Sequence, residues 1–194
     1  MDKTRTMKSI RNVTGLLLLC MVTGAFAANN KAAAATSIDS TFVQTRTLPG
    51  FSTPLVSHGI MRFDPAHGFH WEITAPYHYV FEMNGKQAQE QLPDGSVRQL
   101  DPDQTPWLAA VEHIFISALA GNTSDLQRYF ELAVTPVGKG RQVMLTPKPG
   151  PMASAIVSIQ VTETAPGHPQ RLVIRETSGG RMDIRFSPVS KTAP

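Results

Sequence analysis

The stretch Phe69-His70-Trp71-Glu72-Ile73-Thr74-Ala75-Pro76-Tyr77-His78-Tyr79-Val80-Phe81-Glu82-Met83-Asn84-Gly85 decides the fold class. Phe69, Trp71 and Ile73 alternate with His70, Glu72 and Thr74. After Ala75-Pro76, Tyr77, Tyr79, Phe81 and Met83 alternate with His78, Val80 and Glu82. Successive side chains of a strand point to opposite faces, so a period of two places each set on one face of a sheet. The two runs lie too close for a crossover helix, so they pair antiparallel. Asn84-Gly85 supplies the positive φ angles of a tight hairpin.

The same grammar extends outward over residues 55–101, with Asp64-Pro65 and Asp94-Gly95 as further turns. Strands resume at 131–137, 141–147, 154–163, 170–176 and 181–187. In these, Val157, Ile159 and Val161 are expected to share a face, as are Met182, Ile184 and Phe186. Between the two blocks, Trp107, Leu108, Val111, Ile114, Phe115, Ala118 and Leu119 recur at spacings of three and four, which predicts a helix over 105–119. Thr105 is placed to cap it, Pro106 to fill its first position and Gly121 to end it. A second short helix opens at Thr123 and ends near Tyr129. Ser37 to Arg46 reads as a short helix capped by Asp39 or Ser40 and stopped by Leu48-Pro49-Gly50.

About ten strands in a meander must curl, because a flat sheet leaves exposed edges and an exposed apolar face. The expected architecture is mainly β with a few helices: an open antiparallel β-barrel, or curved sheet, with an α-helical lid across its mouth. No repeat, linker or second domain interrupts residues 37–190.

The N-terminus reads differently. Lys3, Arg5, Lys8 and Arg11 precede Leu16-Leu17-Leu18-Leu19-Cys20-Met21-Val22, and Ala25-Phe26-Ala27 follows. Charged, apolar and small residues in that order form a secretory signal peptide, expected to be cleaved after Ala27, which sends the chain to the periplasm. Residues 28–36 form a flexible lead-in. Leu19 is too large to precede a lipid-modified cysteine, so Cys20 leaves with the signal and about 167 residues without a thiol remain. Cleavage removes four basic residues and one acidic residue from totals of 18 and 15, leaving 14 of each. A neutral chain without a Lys/Arg block does not suit nucleic acid, whose phosphates demand a basic face.

Catalytic signatures are missing. Asp94-Gly95-Ser96-Val97 is a hairpin turn rather than a nucleophile elbow, and no metalloprotease, phosphate-loop or dinucleotide motif occurs. His67 and His70, three apart without a cysteine, do not make a zinc ligand set. Neither a metal nor another cofactor is expected, and the chain reads as a non-enzyme. Taken alone, Phe69, Trp71, Tyr79 and Phe81 read as sheet core rather than as the lining of an apolar cavity. Trp107 and Phe115 alone fit the buried face of any amphipathic helix.

Phe42-Val43-Gln44-Thr45-Arg46, then Gly59-Ile60-Met61-Arg62-Phe63-Asp64-Pro65, then Phe69-His70-Trp71-Glu72, Ala75-Pro76 and Asn84-Gly85-Lys86 together resemble the LolA-like outer-membrane lipoprotein carriers. In that family an F-x-Q helix leads into a glycine, a strand, an R-P pair, F-x-W and a further proline. The resemblance implies that acyl chains of a lipoprotein or lipid lie against Phe63, Phe69, Trp71, Ile73, Tyr79, Phe81, Met83, Ile159 and Ile184. It implies a lid carrying Trp107, Val111 and Phe115, an inner-membrane release complex, an outer-membrane acceptor and a monomeric carrier. The family's lid-locking arginine falls on Asp64 here, and Arg62 two residues earlier is the substitute, so Arg62 and Asp64 are the lock candidates. Two other readings stay open: an envelope assembly module that binds a protein strand at its sheet edge, and a periplasmic hydrolase, which needs a base paired with a nucleophile.

Overall fold

A computed structural model describes residues 37–64, 67–84, 87–101, 127–150, 152–165 and 168–189. They form eleven strands: β1 (Ile38–Thr47), β2 (Leu55–Asp64), β3 (Gly68–Ala75), β4 (Tyr79–Asn84), β5 (Gln87–Gln91), β6 (Val97–Leu100), β7 (Phe130–Val137), β8 (Gly140–Pro147), β9 (Ile156–Ala165), β10 (His168–Glu176) and β11 (Arg181–Pro188). All join one curved antiparallel sheet in the order β6-β5-β4-β3-β2-β1-β11-β10-β9-β8-β7. The sheet does not close, and β6 and β7 are its two ends.

The strands expected between 55 and 101 and between 131 and 187 are present, with ends shifted by no more than two residues. The eleventh strand is β1, and it corrects the expectation of a helix over Ser37 to Arg46. Ser40, Phe42, Gln44 and Arg46 are buried, while Asp39, Thr41, Val43 and Thr47 are exposed. β-Branched residues at 41, 43, 45 and 47 fit a pleated surface better than a helix. The segment also lacks the apolar repeat of three and four that a docked helix needs. β1 pairs with β2 on one side and with β11 on the other. It therefore joins the two meanders into one sheet.

A second correction concerns β9. Ile159 and Val161 face inward, but Val157 is 50 % exposed and Ile156 is buried instead. Ser158 pairs with Arg175 and Ile156 with Glu176, so Val157 is the extra residue of a bulge that reverses the alternation at the strand's start. The expected helix over 105–119 lies outside the described residues, as does the expected signal peptide. Residues 127–129 are helical and end at Tyr129.

One face of the sheet carries the core. Phe42, Met61, Trp71, Phe81, Val143, Leu145, Ile159, Leu172, Ile174, Met182 and Ile184 are each 2 % exposed or less. Burying a large apolar side chain contributes about 1.5–3 kcal/mol relative to leaving it in water. This inward face is thus the dominant source of stability.

Gly59 sets how closely the strands and rings of this face approach. A Cβ there would stand 2.0 Å from the Glu72 carbonyl oxygen and 2.3 Å from Phe42 Cζ. The ring of Phe42 occupies the space that a side chain at 59 would fill. Gly59→Ala is therefore expected to cost ~3 kcal/mol, the upper end for overpacking, because a backbone atom as well as a ring must yield. Urea unfolding checks this: the midpoint falls while the slope stays constant. An unchanged midpoint would mean that the strands have room to separate.

Candidate apolar cargo face and its charged rim

All nine residues singled out as cargo contacts lie on the inward face. Phe63, Phe69, Trp71, Ile73, Tyr79, Phe81, Met83, Ile159 and Ile184 range from 0 to 8 % exposed. β2, β3 and β4 place Phe63, Phe69 and Met83 in one row, and Trp71 and Phe81 opposite each other in the next. Tyr77, in the turn before β4, is 42 % exposed and does not join them. Trp107, Val111 and Phe115 lie outside the described residues.

Aromatic contacts tie the face together across strands. Phe42 stacks on Trp71 with ring centroids 3.8 Å apart and planes 20° from parallel. Phe69 packs against Trp71 at 6.4 Å and against Phe81 at 6.3 Å, and Phe186 meets Trp71 edge-on at 6.5 Å. Such pairs add about 0.5–1.5 kcal/mol each beyond the area they bury. Phe42 and Phe186 escaped the sequence reading, the first because its segment was assigned to a helix. The second was already placed on the face of Ile184 but not carried into the cargo set.

Buried polar groups stand among these rings. Trp71 Nε1 and Gln44 Oε1 are inaccessible and, among the described residues, have no hydrogen-bond partner. A buried donor or acceptor left unmatched costs about 1–3 kcal/mol. These two atoms are therefore ready to bond a polar group that enters the face.

Ion pairs bound the apolar region. Arg46 and Glu176 meet at 2.8 Å with side chains 5 % and 8 % exposed, and Ser178 Oγ donates to the other carboxylate oxygen at 3.0 Å. Arg141 Nε donates to Glu163 Oε2 at 2.8 Å, with Glu163 fully buried. Glu90 takes Arg98 on one oxygen and the Tyr79 hydroxyl, at 3.1 Å, on the other. Burial and the Glu90 carboxylate together push the Tyr79 phenol well above its ordinary pKa, so it stays a hydrogen-bond donor. No reading of charge alone finds these residues, since charged side chains are expected outside. Strand parity does: Arg46 follows Phe42 and Gln44 by steps of two, Glu90 follows Ala88, Glu163 follows Val161, and Glu176 follows Ile174.

The lock candidates face the other way. Arg62 Nε is 3.7 Å from Asp39 Oδ1, with both side chains more than half exposed. Asp64 accepts from Ser37 Oγ at 2.8 Å and lies 2.9 Å from His67 Nδ1. The structure pairs each with a different neighbour rather than with the other. His67 and His70 also engage different carboxylates: His70 Nδ1 is 3.0 Å from Glu82, and its Nε2 is 3.4 Å from Glu72.

That histidine belongs to a polar network on the outward face of β3 to β6. His78 Nε2 lies 3.1 Å from Glu72, Gln89 donates to Glu82 at 2.8 Å, and Gln99 donates to Gln89. Burial opposes ionisation of Glu72, but the hydrogen bonds and positive charge of His70 and His78 outweigh it and leave its pKa below the ordinary 4.5. The Gln89 amide and then His70 lower Glu82 in the same direction. Carboxylates with depressed folded pKa values stabilise the fold above their unfolded pKa, and that contribution is lost as pH falls through the folded value. Stability is expected to drop below about pH 4.5, and Glu72→Gln should flatten that drop. Urea midpoints across the acid range test it; an identical acid slope in the variant would remove Glu72 from the cause.

The sequence model described as "Outer membrane lipoprotein carrier protein LolA" matches residues 33–194. The chain belongs to the LolA family. Among solved structures, the LolA superfamily protein NE2245 from Nitrosomonas europaea is 10 % identical, with 78 % of this chain and 84 % of that one covered at a TM-score of 0.41. The lipoprotein LppX from Mycobacterium tuberculosis is 9 % identical over 94 % and 96 % of the two chains, at 0.37. The MucA/MucB complex from Pseudomonas aeruginosa gives 11 % identity, 93 % and 57 % coverage, and 0.37. No curated protein sequence matches this LolA-family chain.

Proposed function

We propose that this protein is a non-catalytic carrier that receives the acyl chains of a lipoprotein or related lipid on the inward face of its open sheet. It would work in the periplasm, moving cargo from an inner-membrane release complex toward an outer-membrane acceptor. The observation that carries the reading is the aromatic group Phe42, Phe69, Trp71, Phe81 and Phe186 on one face of an unclosed sheet in a LolA-family chain. Apolar ligand surface placed against such a face gains about 25 cal/mol per Å². The Trp71 Nε1–H, without a partner among the described residues, is a donor suited to the ester or amide carbonyl at the head of an acyl chain. These aromatic residues are 8 % exposed or less, so an entering acyl chain must displace what packs against them.

The filled state of this face favours a second reading as well. An assembly module that pairs a protein strand with a sheet edge needs a packed interior and uses β6 or β7 instead. Titration with a fluorescent fatty-acyl probe separates the two. Saturable uptake, competed by a phospholipid and lost on substitution of Phe81 by alanine, supports the carrier. A folded protein that takes up no probe, yet binds an extended envelope peptide, supports the assembly module.

A further inference from the structure

The outward side of the same sheet carries a second feature that cargo binding does not use. β10 presents Arg171 and Arg175, and β11 presents Arg181 and Arg185. Arg171 stands directly across from Arg185, and Arg175 directly across from Arg181. Like charges directly opposite each other destabilise a sheet. Asp183 offsets part of this: Arg171 Nε donates to its Oδ1 at 2.9 Å, and Arg181 donates to its Oδ2 at 3.1 Å. These two arginines, Arg171 foremost, hold the Asp183 carboxylate below its ordinary pKa. Among the described residues, Arg175 and Arg185 have no acidic partner, and both are exposed. A cavity of about 360 Å³ lies alongside, lined by Val43, Thr45, Thr47, Arg181, Asp183 and Arg185.

We infer that this arginine patch and its cavity form a docking site for the phosphate groups of an anionic lipid surface. Guanidinium groups bind phosphate through paired, charge-assisted hydrogen bonds, and Thr45 and Thr47 line the cavity with further hydroxyl donors. A bound phosphate also relieves the repulsion between the opposed arginines. The apolar surroundings select lipid over an acidic protein segment: Val43, 40 % exposed, stands across from Arg185, and Val157, 50 % exposed, lies in the bulge beside Arg175. A membrane interface offers phosphates and apolar area together, whereas an acidic peptide offers only the charge. The site lies on the face opposite the acyl contacts and stands independently of the carrier reading.

Co-sedimentation of the purified protein with phosphatidylcholine vesicles, with and without phosphatidylglycerol, tests the site. Binding is expected only to the phosphatidylglycerol vesicles and should weaken with added salt. Arg175→Gln/Arg185→Gln should bind roughly tenfold or more weakly, since each basic group at an anionic surface adds to affinity. Lys139→Gln, a charge removed elsewhere, should bind like the parent. Thermal melting and acyl-probe uptake, measured on the same samples, should be unchanged in the double variant. Four outcomes overturn the inference: equal binding to both vesicle types, full retention in the double variant, binding of inorganic phosphate without vesicles, or binding of a polyglutamate peptide without vesicles. Loss of probe uptake with vesicle binding intact removes the carrier function and leaves this site standing.

Discussion

Arg46→Met is expected to destabilise the protein by roughly 3–5 kcal/mol, the usual cost of stripping one partner from a buried ion pair. Glu176 would keep the Ser178 hydroxyl at 3.0 Å but lose the guanidinium at 2.8 Å, in a setting where its side chain is 8 % exposed. A carboxylate there has little water to replace the cation, so leaving it buried without its partner is costly. The double variant Arg46→Met/Glu176→Leu provides the decisive comparison. Removing both charges leaves neither charge unpaired, and well-packed apolar replacements of such pairs are often neutral or stabilising. Urea unfolding of the parent, both single variants and the double variant forms a complete cycle. The expected result is two strongly destabilised single variants and a double variant near the parent. A double variant as unstable as either single would mean that the pair holds β1 to the end of β10 through geometry rather than through charge balance.

Trp71→Ala combines a stability loss with a loss of function. Trp71 is 1 % exposed and touches Phe42, Phe69 and Phe186. Deleting so large a buried ring costs about 3–5 kcal/mol from lost transfer energy and the cavity left behind. Acyl-probe affinity should fall as well, by about 1–3 kcal/mol if the ring is fully engaged with the chain. Trp71→Phe keeps most of the ring volume but removes the Nε1 donor, and so separates the two contributions. It should retain most of the stability, bind a plain alkane probe nearly as well as the parent, and bind an ester or amide probe more weakly. Equal affinity of Trp71→Phe for both probes would show that the indole N–H does not contact cargo.

Period-two alternation in residues 69–83 gave the correct faces for β3 and β4, because aromatic and charged residues there separate cleanly by parity. β1 obeys the same parity, but polarity hides it: Gln44 and Arg46 occupy inward positions that polarity alone assigns to solvent. The burial of Arg46 depends on Glu176, 130 residues later in the chain, and no local pattern announces a partner so distant. The family resemblance also carried an expected helix onto this segment, against its β-branched composition. At β9 the bulge at Val157 turned one side chain outward, an event set by the register with Glu176 rather than by the strand's own residues. The nine residues proposed to meet cargo share one face because they obey parity on strands read in the correct register. The ion pairs, the stack of Phe42 on Trp71 and the arginine patch all require knowing which strands are neighbours. The pairing of β1 with β11 is the long-range fact that assembles them.

Mass spectrometry of the protein purified from periplasm, under native conditions and after organic extraction, tests the carrier proposal most directly. The account predicts a co-purifying acylated peptide, lipoprotein or phospholipid, depleted in Phe81→Ala preparations that remain folded. A parent protein that is free of lipid and also refuses an acyl probe would contradict it.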